Sequence, residues 1–192
     1  MNSQPQSVRE RGAALVEFAL VMPVLMLLIF GAFEYGMFFK DYLTVSNTTR
    51  TGARVGSAAG SSADADYQIL QAVKAAATAL PGGSNSIQQI SIYKSTSAGG
   101  GPTATCQTTS SATDKCNTYT ASAFSQPSSK FGCGGGSLDS VWCPTTRIDS
   151  QGVGPDYVGV WVKTTHGFVT KLFGSSRAIT DSVVMRIEPK IP

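Results

Sequence analysis

"RERGAALVEFALVMPVLMLLIF", residues 9–30, opens on two arginines, reaches a glycine at Gly12 and then runs apolar around one carboxylate, Glu17. From Ala13 to Phe39 only Glu17 and Glu34 are charged, and between Phe18 and Phe33 there is no charge at all. A hydrocarbon core about 30 Å thick is crossed by roughly 20 helical residues, so this segment spans a bilayer when Glu17 lies near one interface. Pro23 is compatible with that, because neighbouring helices or side chains in a membrane satisfy the carbonyl that proline frees. Arg9 and Arg11 in front of the run place the N-terminus in the cytoplasm by the positive-inside preference, with everything beyond about Lys40 on the other side. A removable secretory signal fits poorly. The apolar run is too long, the following "EYGMFFKDYL" (34–43) offers no A-x-A site, and "GSAAG" (56–60) comes too late.

Helical spacing continues past the apolar run. Phe38, Tyr42, Val45 and Thr49 fall on one stripe, with Phe39 and Leu43 beside it. Gly52, Gly56 and Gly60 follow at four-residue intervals, either forming a face that another element approaches closely or merely fraying the helix. Spacing alone leaves both open. A helix from Ala13 to near Ala59 is about 70 Å long, half in lipid and half packing its stripe against a head.

Glu17 admits three readings. An acid in a first helical turn is favoured by the helix dipole and stays wet at the interface. A proton relay needs further polar groups inside the membrane, and Glu34 at the far end does not supply one. The third reading is a leader that ends at Gly12. Cleavage there makes Ala13 a charged N-terminus and Glu17 the fifth residue of the mature chain. In a polymer of parallel helices that carboxylate would neutralise the amine of a neighbouring copy, and a close pair costs far less in hydrocarbon than a lone charge.

These residues resemble the N-terminus of the TadE-like family, minor pseudopilins of tight-adherence (Flp-type) pilus systems. The resemblance is carried by the basic leader, Gly12 before the cut, and Glu17 followed by the aromatic Phe18. "TTRTGARVGSAAG" (48–60) is similar to the family's Arg-x-Gly-Ala-Arg stretch through Arg50, Gly52, Ala53 and Arg54, and "VVMRIEP" (183–189) is similar to its terminal strand. Beyond these segments the likeness is one of layout. The resemblance implies processing between Gly12 and Ala13 by a prepilin peptidase, assembly through Glu17 and Phe18, and partners among other pilins or pseudopilins and the pilus assembly platform. It implies a single-pass protein of the cell membrane, possessing an extracytoplasmic head and entering or priming a filament.

The remainder reads as that head. The formal net charge is only +3 and charged residues make up 14% of the chain, without a Lys/Arg block or basic-aromatic interleaving, so nucleic-acid binding is not expected. A second helix is expected over 63–80, capped by Ser62 or Asp64, with Tyr67, Leu70, Val73, Ala77 and Leu80 on one stripe and Pro81-Gly82-Gly83 ending it. "SIQQISIY" (86–93) reads as a strand with Ile90 and Ile92 on one face. "YVGVWVKT" (157–164) alternates, setting Val158, Val160 and Val162 opposite Trp161. Ile179, Val183, Met185 and Ile187 share a face of a last strand, broken by Asp181. The connection, with Phe168, Leu172 and Phe173, is expected to hold one helical turn. The fold class is α+β: a long N-terminal transmembrane helix, then a small head with a second helix and a small antiparallel sheet. Three regions follow: a leader over 1–12, the extended helix over 13–60, and the head over 61–192.

Gly, Ser and Thr concentrate between about residues 82 and 150, and Cys106, Cys116, Cys133 and Cys143 all lie there. An even number of cysteines beyond a membrane element points to disulfides in an oxidising compartment. The equal ten-residue spacing favours two local loops, 106–116 and 133–143, over crossed pairings, but pattern does not decide among the three connectivities. No metal site is expected: no Cys pair has zinc-ligand spacing, and the one histidine, His166, is distant. "GCGGGS" lacks the Lys-Ser/Thr ending of a phosphate loop. His166 has no nucleophile motif near it and reads as the end of a strand or a loop. Helix capping accounts for Asp64 and Asp66, whereas Asp139, Asp149 and Asp156 appear isolated in loops without an EF-hand pattern. Asn47-Thr48-Thr49 matches a glycosylation sequon. Neither an enzyme nor a cofactor is expected. The rival to the pilus reading is an uncleaved, single-pass anchored domain whose disulfide-tied loops bind a surface ligand.

Overall fold

The computed structural model describes residues 6–152 and 154–189; residues 1–5 of the expected leader lie outside them. One helix, α1 (Gln6–Ala59), takes 54 residues and passes through Pro23 without interruption. Its cause is visible in the sequence: Leu, Met, Ala and Phe dominate to residue 39, with strong helix formers outnumbering the β-branched residues. Past Lys40 the helix keeps four threonines in register by letting their hydroxyls donate to the carbonyl four residues back, as Thr48 does to Thr44 (2.8 Å) and Thr49 to Val45 (2.8 Å). It ends at Gly60, whose φ of +56° is the left-handed turn that glycine adopts without strain.

The chain turns back into α2 (Ala65–Ala76), which is shorter than the sequence pattern indicates, because the last turn tightens to a 3₁₀ form over Ala77–Ala79. Neither Ser62 nor Asp64 caps it by side chain. The Asp64 carboxylate instead accepts from Gln68 Nε2 (2.9 Å), and the Ser62 and Asp64 backbone carbonyls take the first amides.

Four antiparallel strands form one sheet: β1 (Ile87–Ser95), β2 (Cys116–Tyr119), β3 (Tyr157–Gly167) and β4 (Ser176–Arg186), in the order β2-β1-β3-β4. Alternation sorts the two faces. Ile90 and Ile92 stand in register with Val162 and Val160 and, with Val158, Val183 and Met185, meet α1 and α2. The opposite face gathers Tyr93, Trp161 and Val184 with Cys106 and Cys116. There Gly159 leaves room for the Tyr93 ring, which lies 2.2 Å from where a Cβ at that position would stand.

Three expectations are corrected. β3 and β4 are joined by residues 168–175 as a hairpin without a helical turn, since Lys171 (φ 61°) and Gly174 (φ 102°) reverse the chain too sharply for one. Tyr42 is exposed, like Phe39 and Leu43, and the buried face of α1 runs instead through Glu34, Asp41, Val45, Thr48, Thr49, Gly52, Ala53 and Gly56. Val45 and Thr49 of the expected stripe are buried and Phe38 packs against the core, so the correction falls on Tyr42 and its neighbours Phe39 and Leu43, whose places on the inner face are taken by the acids Glu34 and Asp41. Finally, β2 sits inside a stretch that carries no strand pattern, held there by pairing with β1 and by the Cys106–Cys116 bond.

The glycines of the helix are close-approach positions. A Cβ on Gly52 would stand 2.8 Å from Val73 and 3.3 Å from Val160; one on Gly56 would stand 3.0 Å from Ile69 and 3.3 Å from Val158. The bare backbone of α1 thus lets α2 and β3 pack directly against it.

Candidate functional site

α1 divides at Glu34. Below that point the helix stands free: Leu15, Phe18, Leu20 and Val24 are among its exposed apolar side chains, with Leu20 71% accessible. It is the one helix among the described residues long and apolar enough to cross a membrane, and none of that apolar window is buried within the chain. Gly12, Ala13, Glu17 and Phe18 all lie on this free section, and all four are exposed. A Cβ at Gly12 would meet nothing within 4 Å. Among the described residues, no hydrogen bond or ion pair engages the Glu17 carboxylate.

Above that point the head grips the helix through side chains that sequence pattern did not single out. The Glu34 carboxylate is buried and accepts from the Thr170 amide (3.0 and 3.2 Å) and from the Thr170 hydroxyl. Two turns on, Asp41 Oδ2 meets His166 Nδ1 at 2.7 Å, and both side chains are buried. Phe38 and Phe168 each meet the His166 ring at near right angles, with centroids 5.5 and 5.1 Å away. A carboxylate–imidazole pair in so enclosed a place is a fixed polar contact inside an aromatic box. His166 does lie on a strand end, where its sequence context places it. At the far end of α1, Ser57 Oγ donates to the Arg186 carbonyl (2.6 Å) and the Glu188 amide to the Ser57 carbonyl (3.0 Å), tying the end of β4 to the helix.

The loop-rich part is organised by Asp66. Its carboxylate, fully buried in the first turn of α2, accepts from Asn117 Nδ2 (2.8 Å), the Tyr119 hydroxyl (2.6 Å) and the Arg147 guanidinium. Arg147 also lies over Trp142, 4.2 Å from the ring centre. Asn117 bridges onward, accepting from the Trp142 amide (2.8 Å) and donating to the Trp142 carbonyl (2.8 Å). Burial and the adjacent Asp66 charge together hold the Tyr119 hydroxyl well above the ordinary tyrosine range. Asp66 is therefore a tertiary anchor and not a cap. The other aspartates are engaged too: Asp139 accepts from the Gly132 and Cys133 amides, Asp156 pairs with Lys94 at 2.6 Å, and Asp149 accepts from Ser61. The cysteines pair locally, Cys106 with Cys116 and Cys133 with Cys143. No group of three or more His, Cys, Asp or Glu side chains among the described residues is arranged to hold a metal. The acids at 34 and 41, one heptad apart and in phase with Val45, were the one available signal of the grip on α1. Nothing in sequence marks Asp66, Asn117 and Arg147 as partners.

The arrangement defines a class: a long apolar helix, of the length and composition that cross a membrane, carrying a disulfide-stapled α+β head. Residues 12–54, which lie within α1, match the family model described as TadE-like protein. No curated protein and no solved structure matches the chain.

Proposed function

We propose that the protein is a minor pseudopilin of a tight-adherence pilus, made as a precursor, inserted with its N-terminus in the cytoplasm, cut between Gly12 and Ala13 by a prepilin peptidase and assembled by lateral packing of α1. The observation that carries this reading is the contrast along α1: the head engages the helix from Glu34 onward but leaves the charge-free run from Phe18 to Phe33 largely unpacked, in a segment matched to the TadE-like family. A free apolar rod with one acid near its start is suited first to lipid and then to parallel copies of itself or of other pilins. Glu17 pairs with the amine freed at Ala13 of a neighbour and sets one axial stagger. Gly12 aids the cut, since glycine inside a helix costs about 1 kcal/mol relative to alanine and eases local unwinding. The disulfides agree with a head outside the cytoplasm.

The test is the N-terminal residue of the protein purified from cells with and without the peptidase. Ala13 is expected in the first case and the unprocessed start in the second. A chain that retains its leader in both would instead be a tethered surface domain.

A further inference from the structure

The β3–β4 hairpin ends in four residues that do not behave as an ordinary extracytoplasmic loop. Val169, Leu172 and Phe173 are 68%, 49% and 61% exposed, and Lys171 stands between them at the tip. This loop does not point away into solvent. The Phe173 ring lies 3.6 Å from where a side chain on Gly31 would begin, and the Thr170 amide and hydroxyl cover the Glu34 carboxylate. Gly31 lies inside the charge-free run that ends at Phe33. It is also about 4.5 Å closer to the membrane centre than Glu34, at 1.5 Å of rise per residue.

We propose that the hairpin tip is a second membrane contact, in which Val169, Leu172 and Phe173 enter the outer interface of the lipid bilayer beside α1. The inference rests on the reading of α1 as a membrane span. Three observations select lipid as the occupant. The tip is continuous with the exposed apolar surface of the span, meeting it at Gly31. Its apolar side chains are grouped around one lysine whose ammonium is long enough to snorkel to headgroup phosphates. And the one carboxylate at that depth, Glu34, is shielded by Thr170 of the same loop, which removes the main cost of bringing the tip down to that level. Insertion to the depth of interfacial helices, about 5–10 Å, suits a hairpin tip of this size. Held at two points, the head would keep a fixed tilt and rotation on the membrane before assembly.

The experiment places tryptophan at Leu172 (Leu172→Trp) and, separately, at Val169 (Val169→Trp) in the full chain reconstituted into phosphatidylcholine/phosphatidylglycerol vesicles with brominated acyl chains. Leu25→Trp, in the middle of the charge-free run, reports on the span itself. Trp142 and Trp161 are buried in the head, so the parent chain supplies the background. The expected result is a blue-shifted emission for both tip variants, quenched more by bromine near the headgroups than by bromine deep in the chains. Leu25→Trp is expected to show the reverse preference. Tip emission unaffected by bromine while Leu25→Trp is quenched overturns the proposal and leaves the span intact; the same result with copy-to-copy cross-linking through the tip would assign the patch to a second copy. Absence of quenching at all three positions overturns the span reading itself.

Discussion

Asp66 shows how much a single side chain can organise when its three partners come from two distant segments of the chain. Its carboxylate takes hydrogen bonds from α2's neighbours in space, Asn117, Tyr119 and Arg147, so it fixes β2 and the 130–147 loop against the helix. Removing one member of a buried charge pair strands the other, at a cost of about 3–5 kcal/mol. We predict that Asp66→Ala lowers head stability by that amount, while Asp66→Asn, which keeps hydrogen-bonding capacity, lowers it less; thermal melting followed by near-UV circular dichroism of the full chain in detergent measures both. Equal melting temperatures for Asp66→Ala and the parent would remove Asp66 from the role of anchor. Tyr93 supports a prediction of a different kind. Burial raises its hydroxyl to about 12, and the hydroxyl donates to the Gly100 carbonyl at 2.9 Å. The folded state therefore holds this proton more tightly than the unfolded chain does, where tyrosine titrates near 10. Its stabilising contribution is complete below about pH 10 and is lost as pH rises from there through about 12. Tyr93→Phe should give a shallower decline of the urea midpoint across that alkaline window, with the remainder due to Tyr119, whose hydroxyl is raised in the same direction. An unchanged slope would mean that Tyr93 does not titrate with unfolding.

At the level of elements, the parts legible in sequence were those whose partners are implied by periodicity. The long helix, expected from Ala13 to near Ala59 and observed over Gln6–Ala59, follows from an apolar run continued by helical spacing past Phe38, and the alternating Val158, Val160 and Val162 and the Ile179 to Ile187 face follow from a repeat of 2. Strand β2 was not legible because four residues, CNTY, carry no period; its conformation is set by pairing with Ile90 and Ile92 of β1 and by the disulfide from its own Cys116 to Cys106. The inner face of α1 was legible at Phe38, Val45 and Thr49 but not at Glu34 and Asp41, which look like solvent-facing acids until Thr170 and His166 arrive from the hairpin. The Gly52 and Gly56 question, open in sequence, is answered by the 2.8 and 3.0 Å approaches of Val73 and Ile69. These contacts make a direct prediction. Gly56→Val should push α1 from α2 and cost about 1–3 kcal/mol by overpacking, whereas Ala58→Val, on the exposed side of the same turn, should change stability far less. Comparable loss in both variants would show that helix propensity, not close packing, governs that turn.

Across the whole molecule, two kinds of requirement are kept apart along one helix. The head is made stable by Asp66, the glycine contacts and two ten-residue disulfide loops, each loop worth about 2–3 kcal/mol through the entropy it removes from the unfolded chain. Among the described residues, none before Gly31 belongs to that core, which leaves this section available for the lipid and subunit contacts proposed above. Changes in the two regions should therefore be separable. Glu17→Gln is isosteric and lies outside the core; we predict an unchanged melting temperature for the head and unchanged membrane insertion, but fewer or shorter pili, because an amide cannot neutralise the Ala13 amine of an adjacent subunit. Asp66→Asn should do the reverse in mild form, lowering the melting temperature while sparing assembly at temperatures where the head stays folded. Both measurements are made on the same strains: melting of the purified chain, and filament count and length by electron microscopy. Normal filaments from Glu17→Gln would leave the acid with no part in assembly, and it would then be a first-turn charge held at the interface by the helix dipole.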